Sequence, residues 1–362
     1  MNLITFKSKK MKYIKIFVLL MAISITNICK AQQDSIVVAS TVEEFKAEKL
    51  YNEGVKLYEK QKFTDAIKKF DEAIALEPEF DKALANRGIA KVELKKYNEA
   101  IKDFDMALHI NPSGLAYFGR GKAKYEMNNM PESLEDFNDA IELDSTLARA
   151  FYYRGGIFFQ FNKYEEAILD YDKAIEFDKD FAFAYNDRAS AKRQIQDFKG
   201  AIEDYTRALI IDDKSAFIYN NRGSAKMLTE DYKGATDDFT KAIKLKSDYH
   251  IAYNNRGKAK FEQEDYTGAI SDFDQALKIK PDYAFAFNNR GSVKHKQNKY
   301  KEAIEDFDKA IAIDDKYAYA FLNRGISKEM LRDDKGACED WQFAANLGLN
   351  IATNYINLQC NR

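Results

Sequence analysis

The sequence predicts an all-α chain: a row of antiparallel helix pairs stacked into a solenoid and closed by a C-terminal helix. Three observations predict it. A glycine column recurs through most of the chain at a spacing of 34 residues. The apolar positions around it fall at i, i+4 and i+7 on two successive helices. Only four prolines interrupt the 362 residues, which favours long unbroken helices.

The first 31 residues stand apart. Lys7, Lys9, Lys10, Lys12 and Lys15 precede the apolar run from Ile16 to Ile28, and small residues end at Ala31. Positive n-region, short apolar core and small-residue exit are the order of a secretory signal peptide, with cleavage after Ala31. Thirteen apolar residues fall short of the roughly 20 that a spanning helix needs. Met11 offers a more compact start than Met1, and Cys29 offers a lipidation alternative. However, Ile28 stands where a lipobox takes Gly, Ala or Ser. The expected location is periplasmic or secreted. Loss of six lysines and no acid takes the net charge from −2 to −8. An acidic chain without a basic patch is a poor match for nucleic acid. No membrane insertion is expected once the signal is removed.

Residues 32–46 read as a linker and lead-in to the first helix, and residues 47–348 as nine helix hairpins. Counting the glycine column as position 8, it reads Gly54, Gly88, Gly121, Gly155, Ala189, Gly223, Gly257, Gly291 and Gly325. Position 20 is small in every repeat (Ala66 through Ala337, with Ser133), position 24 always aromatic (Phe70 through Trp341), and position 27 always alanine (Ala73 through Ala344). Position 17 is aromatic in seven of the nine, for example Tyr164, Tyr266 and Tyr300. Each hairpin is too small to bury its own apolar faces, so neighbours must stack. Counted at full repeat length the nine units run over 47–351, 305 of the 331 residues that follow the signal, leaving no room for a catalytic domain. No cofactor, metal or catalytic residue is expected: His109, His250 and His295 fall at unrelated repeat positions, and Gly121 in "FGRGKAK" belongs to the glycine column.

A mid-helix glycine costs about 1 kcal/mol relative to alanine. Close approach of the partner helix, at the small residues of positions 20 and 27, would justify it. In a hairpin turning near position 14, position 7 faces about position 23. Position 7 is arginine in eight repeats and position 23 is aspartate in the same eight, as in Arg256 and Asp272. In the first repeat both charges reverse, to Glu53 and Lys69. The joint reversal predicts an ion pair inside each hairpin.

This pattern resembles the tetratricopeptide repeat (TPR), with a large residue at 4, Gly or Ala at 8, aromatics at 17 and 24, alanines at 20 and 27, and prolines at 32 in Pro78, Pro112 and Pro281. The family's leucine at 7 is replaced here by charge. The resemblance implies a right-handed superhelix whose concave groove is lined by first-helix positions 2, 5, 6, 9, 12 and 13, and a protein or extended peptide as partner. In the C-terminal half, positions 5 and 6 carry Asn220, Asn221, Asn254, Asn255, Asn288 and Asn289, flanked by Asn186 and Asn323. Position 2 there carries Phe183, Phe217, Ile251, Phe285 and Tyr319, while the N-terminal half has Phe118, Tyr152 and Tyr153 at positions 5 and 6. Asparagine amides can bracket a peptide backbone while aromatics take side chains. The same ladder also arises if copied repeats keep asparagine without use for it. The lysine at 5 and asparagine at 9 of the chaperone-tail carboxylate clamp are absent.

Residues 349–362 read as a capping helix. Cys338 and Cys360 flank the turn at 346–348, so they either join as a disulfide or remain two small buried side chains. The resulting expectation is a non-catalytic binding scaffold working through its concave groove. The alternative is an envelope assembly component working through its convex face or edges.

Overall fold

The structure is a computed structural model that describes residues 43–360. The signal segment, Cys29 and most of the lead-in lie outside these residues. Every regular element among the described residues is helical, and the helices follow one another in pairs. Helix α1 holds residues 43–59, so it begins earlier than the expected lead-in boundary, with Ala47 already fully buried. Its partner α2 is Phe63–Leu76. The pairs α3 (Asp81–Glu93) with α4 (Tyr97–Ile110), and α5 (Gly114–Glu126) with α6 (Met130–Leu143), complete the N-terminal side. Contacts divide the chain into two compact units that meet between residues 154 and 155, within α7 (Ala148–Gln160).

The C-terminal unit continues with α8 (Tyr164–Phe177). Four hairpins then follow: α9 (Ala182–Gln194) with α10 (Phe198–Ile211), α11 (Ala216–Leu228) with α12 (Tyr232–Leu245), α13 (His250–Glu262) with α14 (Tyr266–Ile279), and α15 (Ala284–Lys296) with α16 (Tyr300–Ile313). The last hairpin, α17 (Ala318–Met330) with α18 (Asp334–Asn346), carries the closing helix α19 (Asn350–Tyr355), which tightens into a π turn over Ile356–Cys360. Among the described residues no helix is long and apolar enough to cross a membrane.

Each hairpin is built around its position-24 ring. Phe239, Phe273 and Phe307 are essentially inaccessible, as are the flanking alanines Ala235, Ala242, Ala269, Ala276, Ala303 and Ala310. Burial of one such ring contributes about 2–3 kcal/mol. That ring also explains the glycine column. A Cβ added at Gly257 would sit 2.7 Å from Cε1 of Phe273. The glycine thus makes room for the aromatic at 24 first, and the backbone at position 20 approaches it second, as at Gly325 with the Ala337 carbonyl at 3.1 Å. The expected approach at the small residues of positions 20 and 27 is thus secondary to the ring, because the long side chain at 24 reaches back over the turn that lies before it.

The turns follow one rule. The residue at position 15 is left-handed in all nine hairpins, from Gln61 (φ 58°) to Arg332 (φ 64°), and none is glycine. In the hairpin α13–α14 the amide of Asp265 donates to the Lys260 carbonyl and that of Glu264 to the Phe261 carbonyl, which ends α13 in a Schellman-type turn. Asp197, Asp231, Asp265 and Asp333 then cap the next helix, each accepting from the amide of a glycine three residues on at 2.9–3.0 Å.

Charges inside the hairpins form a bridge. Arg256 donates from Nε and Nη2 to the two oxygens of Asp272 at 2.9 and 2.6 Å, and Lys260 reaches the same carboxylate at 2.8 Å. The pattern repeats at Arg222–Asp238–Lys226 and Arg290–Asp306–Lys294. In the first repeat Lys69 lies 3.5 Å from Glu53, with the charges reversed. The third guanidinium nitrogen leaves the hairpin: Nη1 of Arg324 donates to Asp308 at 2.6 Å and Nη1 of Arg222 to Thr206 at 3.1 Å, both on the preceding hairpin. Position 7 therefore ties a hairpin shut and ties it to its neighbour.

Candidate functional site

Helical periodicity puts positions 2, 5, 6 and 9 of each first helix on one face. In the C-terminal unit this face carries the asparagine ladder, and the amides there bond chiefly to one another. Nδ2 of Asn221 donates to Oδ1 of Asn186 at 3.2 Å, Asn255 to Asn220 at 3.0 Å, Asn289 to Asn254 at 2.9 Å, and Asn323 to Asn288 at 2.9 Å. Each bond runs from position 6 of one repeat to position 5 of the repeat before. Asn254 and Asn288 then pass a bond on to Asn255 and Asn289 of their own helices at 3.5 and 3.4 Å. Position 5 is buried throughout (Asn186, Asn220, Asn254, Asn288), and position 6 is half-buried. The ladder is thus a seam between neighbouring first helices, a third use that the sequence did not suggest. The N-terminal unit shows the same link once, where Asn86 donates to the Tyr51 hydroxyl at 3.1 Å. Elsewhere in that unit, position 6 of the fourth repeat packs ring on ring, with Tyr153 5.9 Å from Phe118 and 5.8 Å from Phe137.

Replacing Asn289 by alanine orphans the buried Oδ1 of Asn254, at an expected cost of about 1–2 kcal/mol. Urea unfolding monitored by circular dichroism reads this directly. An asparagine kept only by duplication would change stability by less than about 0.5 kcal/mol.

Above the seam the position-2 side chains stand in solvent: Phe183, Phe217, Phe285 and Tyr319 are each roughly half exposed. Phe183 and Phe217 stack at 6.1 Å with their planes 10° apart. Phe285 sits between Tyr283 at 5.7 Å and Tyr317 at 5.0 Å. These rings and the seam bound an open groove of about 490 Å³ lined by Asn254, Asn255, Lys258, Tyr283, Phe285, Asn288, Asn289, Tyr317, Tyr319 and Asn323. Seven of the sequence-predicted residues meet here. Asn186, Asn220, Asn221, Phe183 and Phe217 lie on the same helix face but outside this lining.

Three lining residues were not singled out from sequence, although one of them, Lys258, stands at position 9, among the expected groove positions. Tyr283 and Tyr317 occupy the position just before the first helix, and their recurrence with Tyr249 at the 34-residue period was readable. Burial raises the phenol pKa of Tyr283, and pushes that of Tyr317 to about 12 with help from Tyr283 and Asp314 nearby. Both hydroxyls therefore stay protonated at neutral pH. Lys258 is the third. Its counterparts Ser190, Ser224 and Ser292 donate to the carbonyl four residues back, whereas Lys258 is exposed and makes no ion pair or hydrogen bond among the described residues.

Models of the tetratricopeptide repeat match residues 81–113, 148–181, 218–249 and 284–317, and a TPR-repeat model matches 257–298. No curated protein matches the chain. Among solved structures, a chain of the APC/C hetero-tetramer Cut9–Hcn1 aligns at 16% identity and TM-score 0.55 over 73% of this chain. This chain spans about half of that one, 52%. The C-terminal part of a TPR repeat-containing protein from Cytophaga hutchinsonii aligns at 18% identity and TM-score 0.53, over 66% of this chain and 98% of that one. A tetratricopeptide repeat protein from Parabacteroides merdae aligns at 18% and 0.50, over 70% and 97%. These likenesses show the fold.

Proposed function

The chain is a tetratricopeptide-repeat protein, and on that premise we propose that it is a non-catalytic scaffold, exported by its N-terminal signal, that binds an extended protein segment along the first-helix face of its C-terminal unit. The observation that carries this reading is the groove over the asparagine seam. There, exposed rings at position 2 stand beside amides held in fixed orientation, a combination suited to side-chain pockets along a peptide backbone. Nucleic acid is not the expected partner of an acidic chain.

The competing reading, assembly through the second-helix face or the edges, draws on exposed apolar side chains such as Leu169 and Ile210. The two separate by paired variants in a pull-down from envelope extract. Phe285→Ser with Tyr319→Ser removes only exposed rings, so helicity should be intact while groove partners are lost. Leu169→Ser with Ile210→Ser should leave those partners in place. The reverse outcome favours the second-helix face. Asparagine-to-alanine scanning is the poorer test, because it also opens the seam.

A further inference from the structure

The groove's polar groups are not evenly divided between donors and acceptors. The carboxamide oxygens of Asn254 and Asn288 each accept from the following repeat, and those of Asn255 and Asn289 accept from their own helix neighbours. Asn323 alone among the lining amides has an oxygen outside this network. The Nδ2 groups of Asn255, Asn289 and Asn323 each spend one N–H on the seam and retain a second. Beside them stand the hydroxyls of Tyr283 and Tyr317 and the ammonium of Lys258. Asp and Glu number 58 of 362 residues in the chain, yet the groove lining contains neither.

We infer that the groove selects extended segments bearing an acidic side chain between aromatic or apolar ones, with Lys258 as the residue that reads the acid. This rests on the groove being the binding face. In an extended segment alternate side chains share a side, so apolar groups meet Phe285 and Tyr319 while a carboxylate between them meets the ammonium. The remaining N–H groups of the seam are left for backbone carbonyls. The lysine supplies the discrimination because it is the one cation in the lining, and among the described residues its charge is paired with no carboxylate.

The test uses three fluorescein-labelled dodecapeptides, amidated at the C-terminus so that only side chains carry charge: alternating tyrosine and glutamate, tyrosine and glutamine, and tyrosine and lysine. Fluorescence anisotropy with purified protein should show the glutamate peptide bound about tenfold more tightly than the glutamine peptide, and the lysine peptide weakest. Lys258→Gln should abolish the difference between glutamate and glutamine, the glutamate peptide losing its tenfold advantage. Lys335→Gln, at a side chain 91% exposed on the second helix of the last hairpin and outside the groove lining, should preserve it. Equal binding of glutamate and glutamine peptides, or discrimination that survives Lys258→Gln, overturns this inference and leaves the groove reading standing. Failure of all three peptides to bind, or binding that survives Phe285→Ser with Tyr319→Ser, overturns both.

Discussion

Replacing Asp272 by alanine is expected to destabilise the C-terminal unit by about 3 kcal/mol. The carboxylate is only 3% exposed and serves both Arg256 and Lys260. Its removal strands two cations against the hairpin interior. The figure stays at the low end of the range for broken buried pairs, because the Arg256 and Lys260 side chains are 17% and 22% exposed and regain some water. Arg256→Ala should cost less, since Lys260 still neutralises Asp272. The double variant should therefore fall well short of the sum of the two singles, because both remove the same pair. The first repeat provides the contrast: Glu53 and Lys69 are 3.5 Å apart and 43% and 31% exposed, so Glu53→Ala should cost less than about 1 kcal/mol. Urea titrations of the four variants, read on the earliest unfolding transition, decide the matter. A cost below 1 kcal/mol for Asp272→Ala would mean that the bridge is solvated.

That pair was legible because nine copies of one hairpin sit in a single chain, and the reversed charges at Glu53 and Lys69 mark a contact as homologous sequences would. The contacts between repeats escaped for one physical reason. Hairpin arithmetic relates positions within one repeat, so it says nothing of bonds that cross to the next. The Arg324–Asp308 contact and the Asn289–Asn254 bond are both of that kind. Lys260 was missed for a different reason: its position lies one turn beyond the arginine, and a lysine on a helix face reads as solvated until the aspartate across from it is known to be buried. The left-handed residues at position 15 were hidden because only Asn128, Asn162 and Asn298 are of a type that favours positive φ, whereas Gln61, Glu264 and Arg332 are not. Of the candidate site, the rings and amides at positions 2, 5 and 6 were readable. The division of the amides between seam and groove was not, since it depends on which of two adjacent asparagines turns inward.

Reduction of Cys338–Cys360 is expected to release the closing helix at a cost of about 3 kcal/mol to the last hairpin. The structure joins the two cysteines, 22 residues apart in sequence, and the unfolded chain regains about this much loop-closure entropy when they are unlinked. The local core makes the loss visible. Trp341, 1% exposed, packs 5.1 Å from Tyr355 of the closing helix, and Ala352 is fully buried in the same cluster. Trp341 is the chain's single tryptophan, so its emission reports on this end alone. Under dithiothreitol, or in Cys360→Ser, Trp341 emission should shift to the red at a lower temperature than in the oxidised protein, while the far-ultraviolet circular dichroism of the remaining hairpins holds. Two outcomes count against a latched cap: superimposable fluorescence melts with and without reductant, or two titratable thiols in denatured, unreduced protein recovered from its native compartment. The latch and the signal are linked, because a signal that directs export would place these cysteines where a disulfide persists. Finding the bond intact in such material would support both the latch and the route that leads to it.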